Sequence, residues 1–258
     1  MSLIERADAG AVTTLTFNRP EKLNSFNGEM LTELEAELQA ARARPETRVI
    51  VLTGSGRAFS TGADLNEYAG RGPLEARRAN EDTWMRLFRT IEALDEPVIA
   101  SVNGYALAGG TELLLACDLV VASETATFGL TESRVGVIPG AGACIRLTRW
   151  VGRAAAKEIL MTGDPLSAQD AYRLGLVNRL VPADELAAAT GELAQTLASR
   201  SPLALAAAKR AVNIGAEMDS ERGMQYVLQE FALLFAGRDQ EEGMRAFLEK
   251  RPPEFTGT

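Results

Sequence analysis

An α/β fold is predicted by three features of the 258-residue chain: strand-like stretches that end in glycine or proline turns, helical apolar spacing between them, and a helical C-terminal third. AVTTLTF (11–17) alternates apolar and polar positions as a half-buried strand does, and NRP (18–20) stops it. Over 29–43 the residues Met30, Leu31, Leu34, Leu38 and Ala41 keep the spacing of one helix face. VIVLTG (49–54) reads as a buried strand, followed by the loop SGRAFSTGADL and a second helix over 76–94. PVIASVNG (97–104) is a further apolar strand, a short helix is expected over 111–117, and LACDLVVAS and ATFGL add two extended pieces. After Pro139 the pattern is helical, over 141–150, 154–161, 167–174, 183–199, 202–213, 218–236 and 240–250. The apolar stripes of these last helices suit a partner subunit better than a second sheet domain.

Composition narrows the function. A hydrophobic content of 46% can bury a substantial core, and 27 basic against 35 acidic residues give a net charge of −8. That balance lacks the long-range basic field expected for nucleic acid or an anionic membrane. Cys117 and Cys144 have no CxxC spacing, so a disulfide framework or a zinc site is not expected. MSLIERADAG has no leader-like character and no apolar run reaches the roughly 18 residues of a membrane span, so a soluble, cytoplasmic protein is expected. The chain contains no histidine. Ser-His-Asp and Cys-His systems are therefore excluded, and proton transfer falls to carboxylates, Tyr, Lys, Cys or held water.

Within the apolar segment NGYALAGGTELLLACDLVVAS, Glu112 stands out, because a buried carboxylate is costly unless paired, hydrogen-bonded or protonated. Gly109 and Gly110 precede it at a helix start, where free N–H groups could receive a developing anion. The plainer alternative is an acidic residue facing the helix dipole beside a glycine pair that packs helix on strand. TGSGRAF lacks the third glycine of a dinucleotide loop and the GK[ST] of a phosphate loop, which leaves Gly62-Ala63-Asp64 as a tight turn able to present another N–H, or simply a helix cap. Glu132, in FGLTESRVGVIPGAG, is a loop carboxylate whose flanking VGVIPG reads as buried.

NRPEKLNSF, LTGSGRAFSTGADL, NGYALAGGTELLLACDLVVAS, FGLTESRVGVIPGAG, GLVNRLVP and EGMRAFLEKRPPEF, in that order and across essentially the whole chain, resemble the enoyl-CoA hydratase/isomerase (crotonase) family. The resemblance implies a crotonase-like spiral of β-β-α turns over 1–195, with a C-terminal helical trimerisation region over 196–258 that forms a homotrimer or a hexamer. It implies an acyl-CoA thioester substrate, with CoA part of that substrate and no separate cofactor or metal. By position, the N–H groups of Ala63 and Gly109 would grip the thioester oxygen. Glu112 would activate water for attack at C3, and Glu132 would protonate C2. Gly140 would leave room for the water. Lys22, Leu23 and Arg57 would meet CoA, and Phe247 and Lys250 would reach it from a neighbouring subunit. Asp118 matches the family but reads as a structural carboxylate. Two departures concern substrate subclass: Thr131 replaces a frequent proline, and Ala143-Cys144-Ile145 replaces Gly-Thr-Gln. The implied reaction is hydration of a 2-enoyl-CoA; a double-bond isomerase and a non-catalytic acyl-CoA binder are the alternatives. Gly109→Pro is expected to abolish turnover and Gly110→Ala to be milder.

Overall fold

A computed structural model describes residues 2–258. Strands β1 (Ile4–Ala9), β2 (Val12–Phe17), β3 (Val49–Gly54), β4 (Ala58–Ser60), β5 (Val98–Val102), β6 (Tyr105–Leu107), β7 (Leu119–Ser123), β8 (Thr127–Gly129), β9 (Leu166–Ser167) and β10 (Arg179–Val181) form two sheets. The larger has the order β1-β2-β3-β5-β7-β10, the smaller β4-β6-β8-β9. All pairings are parallel except β1 with β2 and β9 with β8.

The helices are α1 (Gly28–Ala43), α2 (Pro73–Ala79), α3 (Arg86–Ala93), α4 (Gly109–Leu114), α5 (Ala143–Thr162), α6 (Ala168–Arg173), α7 (Leu186–Ala198), α8 (Pro202–Gly215), α9 (Ser220–Leu234) and α10 (Arg238–Glu249). Chain order explains the spiral. A strand of the large sheet is followed by one of the small sheet and then a helix, as in β3-β4-α2/α3 and β5-β6-α4. The chain adopts the α/β crotonase fold.

The central strands are mostly apolar because both faces of the large sheet are covered. Leu15, Phe17, Ile50, Leu52, Ala100 and Val120 join one core, while the alternate residues Val12, Val49, Val51, Ile99 and Val121 pack beneath Leu186, Leu193 and Ala194 of α7. α8 is fastened to the sheet by buried Lys209, whose Nζ lies 2.8 Å from Asp118 and donates to the carbonyls of Ile91 and Glu96 at 2.9 and 3.1 Å. Asp118 also accepts from Val98 N–H at 2.7 Å, so it is the hydrogen-bonded structural carboxylate expected.

Several boundaries differ from expectation. β1 carries no apolar alternation, since Ile4 is its one buried residue, and β4, β6, β9 and β10 are too short for a periodic signal. The helix expected over 76–94 begins at Pro73, whose fixed φ suits a first helical turn, and passes through a π-helical stretch, Asn80–Met85. α4 starts at Gly109 rather than 111. The two helices expected over 141–150 and 154–161 are one element broken at Gly152, where φ is 79°. Among the described residues no helix is long and apolar enough to cross a membrane, and no cluster of acidic, His or Cys residues is arranged to hold a metal.

Candidate active site

The turn after β4 is aimed by a single parallel bridge. Phe26 N–H donates to Gly62 O at 2.7 Å and Asp64 N–H to Phe26 O at 2.8 Å, so the N–H of the intervening Ala63 points away from Phe26. It donates to nothing among the described residues. Asp64 secures the turn by pairing with Arg19 at 3.0 Å and accepting from Asn66 N–H at 3.2 Å, as the cap reading expected.

Gly109 opens α4 after Ala108, a non-glycine residue held at φ 48°, ψ −124°. Such strain persists only where surrounding structure enforces it; here Ala108 N–H donates to Gly129 O at 2.8 Å and Glu112 N–H to Ala108 O at 3.0 Å. The Gly109 N–H has no partner among the described residues. The two turns touch, since a Cβ on Gly62 would come within 2.6 Å of Gly109 N. A Cβ on Gly110 would meet the Ser60 carbonyl oxygen at 2.2 Å, while one on Gly109 would meet the edge of Trp84 at 3.0 Å. Gly110→Ala, expected to be milder than Gly109→Pro for turnover, carries a packing cost of its own, because the backbone leaves Gly110 less tolerant of a methyl than Gly109.

Glu112 is buried, and its Oε1 accepts from the N–H groups of Ala141 and Ala143 at 3.0 and 3.1 Å. Desolvation raises its pKa, opposed by those two bonds and by the Arg146 guanidinium. Glu132 begins a single 3-10 turn, Glu132–Val135. Its Oε2 is buried with no hydrogen-bond partner among the described residues. Desolvation, with the Glu112 charge adding to it, pushes its pKa up to about 7. The Glu112 charge acts on Glu132, so the two carboxyls lie within electrostatic reach of each other, in unequal environments.

Sequence reasoning passed over Arg146 and Asn80, and read Cys144 only as a departure bearing on substrate subclass. Arg146 makes a two-pronged bond to Glu92 at 2.6 and 2.9 Å and donates to Ala141 O at 2.8 Å, fixing the turn that holds Glu112. Asn80, at the start of the π-helical stretch, packs on the side of Gly140 that lacks a Cβ, where an added Cβ would lie 3.0 Å from its Oδ1. The Cys144 thiol is raised by burial and by both Glu112 and Glu132, so it borders the pair. None forms a recognisable motif; their link to the site is purely spatial.

Lys22 and Arg57 are exposed on adjoining loops, and Asn24, next to Leu23, ties them by donating to Ser55 O and Ala58 O at 2.9 and 2.7 Å. Leu23 adopts φ 53° and its carbonyl accepts from Thr61 N–H at 3.2 Å, so this edge borders the Ala63 turn. Phe247 is 83% exposed and Lys250 terminates α10; neither contacts the other site residues among the described interactions.

Two unpartnered N–H groups, a buried carboxyl at Glu112 and a half-buried one at Glu132 are thus carried on a spiral of β-β-α turns. Residues 7–258 match the family described as enoyl-CoA hydratase/isomerase, and the chain belongs to that family. It is 43% identical over 246 residues to the 2,3-dehydroadipyl-CoA hydratase of Escherichia coli, covering 95% of each chain. It is 39% identical over 254 residues to the crotonyl-CoA hydratase of Syntrophomonas wolfei, covering 98% of this chain and 96% of that one. Among solved structures, the enoyl-CoA hydratase of Bacillus anthracis superposes with a TM-score of 0.95 at 39% identity, covering 100% of each chain.

Proposed function

We propose that the protein is an enoyl-CoA hydratase, adding water across the C2=C3 bond of a 2-enoyl-CoA thioester. The observation that carries this reading is the unequal carboxylate pair. Glu112, held by two N–H donors, is the better anion and activates water for attack at C3. Glu132, with its pKa near neutrality, carries the proton delivered to C2. The N–H groups of Ala63 and Gly109 receive the charge that develops on the thioester oxygen, and removing one such donor typically costs about 10²–10³ in rate. Gly140, in the turn that leads to Glu112's donors Ala141 and Ala143, is assigned to leave room for that water. Likeness to named hydratases supports the same reading.

Incubation with 2-enoyl- and 3-enoyl-CoA thioesters tests it, following loss of conjugation and product mass together. Hydration adds a water; conversion of the 3-enoyl to the 2-enoyl thioester without mass change would establish the isomerase instead. The isomerase has one observation in its favour, the single unpartnered oxygen of Glu132, since one carboxylate suffices to move a proton between carbons.

Lys22, Leu23 and Arg57 are assigned to the CoA end, and the exposed apolar residues Val227, Leu228, Phe231 and Phe247 to contacts between subunits of a trimer or hexamer. In that assembly Phe247 and Lys250 approach a neighbour's CoA. Truncation after Arg238 should yield monomers or aggregates with weakened CoA affinity by light scattering and titration; a truncated trimer that binds CoA normally would sink this role.

A further inference from the structure

One charged group beside the site is not used by the chemistry above. Tyr68 is half-buried and follows the Ala63 turn, its N–H donating to Leu65 O at 3.1 Å, and Trp84 packs edge-on against Phe26, the residue bridged to Ala63. Trp84 in turn packs against Gly109. Tyr68 lies five residues beyond Ala63, on the same loop as the N–H that would hold the thioester oxygen. The Arg71 guanidinium sits over the Tyr68 ring, 4.6 Å from its centroid. A turn holds it there, because Arg71 N–H donates to Tyr68 O at 3.3 Å.

Arg71 forms no ion pair among the described residues, and the nearest acidic residue in the turn, Glu67, is engaged by Gly28 N–H at 3.0 and 3.2 Å. An acyl chain lying along Tyr68 would strip water from the guanidinium. With a purely apolar chain end, that desolvation has no compensation. An anionic chain end supplies the missing partner, and a guanidinium receives a carboxylate through two parallel N–H bonds.

Resting on the hydratase reading, we infer that Arg71, presented by Tyr68, is a specificity-determining residue that selects 2-enoyl-CoA thioesters whose acyl chain ends in a carboxylate.

The test compares two six-carbon substrates, 2-hexenoyl-CoA and its counterpart with a terminal carboxylate, on the wild type, Arg71→Gln and Arg71→Glu, with folding checked by circular dichroism. The wild type should favour the dicarboxylic substrate in kcat/KM, mainly through KM. Arg71→Gln should reduce that preference by roughly tenfold, the scale of one charge-assisted hydrogen bond. Arg71→Glu should reverse it, and added salt should shrink the wild-type preference because Arg71 is exposed. Equal use of both substrates by the wild type, or a proportional loss on both in Arg71→Gln, overturns the inference. Binding of saturated hexanoyl-CoA and adipyl-CoA separates it from the reaction assignment. If neither enoyl thioester gains water but Arg71→Gln selectively weakens adipyl-CoA, the hydratase reading fails and the Arg71 role stands. If water is added and both saturated thioesters bind alike in all three proteins, the reverse holds.

Discussion

Gly62 stands so close to Gly109 that a methyl group on the first would lie 2.6 Å from the amide nitrogen of the second. The missing side chain at Gly62 thus keeps one of the two unpartnered N–H groups accessible from the neighbouring turn. Gly62→Ala should lower kcat/KM by about 10²–10³, as loss of an oxyanion donor does. It also strains a residue at φ 86°, so thermal unfolding should be measured alongside. A folded variant with undiminished turnover would remove Gly109 N–H from the proposed site.

The adjacent glycines should separate in stability. Gly110→Ala drives a methyl into the Ser60 carbonyl and should cost about 3 kcal/mol, the upper part of the range for overpacking. At Gly109 the nearest atom belongs to the Trp84 ring, and Gly109→Ala should be milder in thermal unfolding. Gly109→Pro, which deletes the N–H, should still abolish turnover. Equal melting temperatures for the two alanine variants would contradict the packing described for α4.

Glu112→Gln and Glu132→Gln each keep size while removing the ionisable group, and each should reduce kcat by about 10²–10⁴ with little change in binding. If both carboxylates hold one water, the double variant should be little slower than the slower single. Multiplicative losses would show that they serve separate steps. An isomerase relying on Glu132 alone would keep much of its activity in Glu112→Gln.

Glu132 also makes stability depend on pH. Its folded pKa, about 7, lies above the ordinary value of 4.5. Below 4.5 both folded and unfolded states hold the proton. Between 4.5 and 7 the unfolded state ionises first, so the folded state loses stability as pH rises, levelling above 7. Relative to wild type, Glu132→Gln should therefore gain roughly 1–2 kcal/mol between pH 4 and pH 8, a figure reduced for the group's partial contact with solvent. Chemical denaturation at both pH values measures this. In kinetics, wild-type kcat/KM should fall as pH climbs through about 7, where the proton for C2 is lost. A flat profile over that range would remove Glu132 as the acid.

The sequence carried the periodic elements and the ordered motifs, because burial on one or two faces leaves an alternating or continuous apolar signature. α1, β3 and β5 fall close to where their patterns place them. Three-residue strands such as β4 and β6 owe their existence to neighbours in the small sheet and have no signature of their own. Glu112 was legible as an anomaly in an apolar run. Its holders, the N–H groups of Ala141 and Ala143, were not, since a main-chain donor has no letter in the alphabet of side chains. Arg146 and Asn80 escaped for a related reason: each reads as ordinary helix composition until folding sets it against Ala141 or Gly140.

The Lys209–Asp118 bond bears on how the chain is made. On the ribosome Asp118 emerges long before α8, so until then its carboxyl has no cation and keeps only water and the Val98 N–H as partners. Only when Lys209 arrives does the ammonium settle on that carboxyl and on the carbonyls of Ile91 and Glu96. A chain stopped at residue 195 would lack that cation, and the cover of α8, permanently. The late helices thus complete the early sheet, and the nascent core should stay accessible to chaperones and proteases until they have been synthesised.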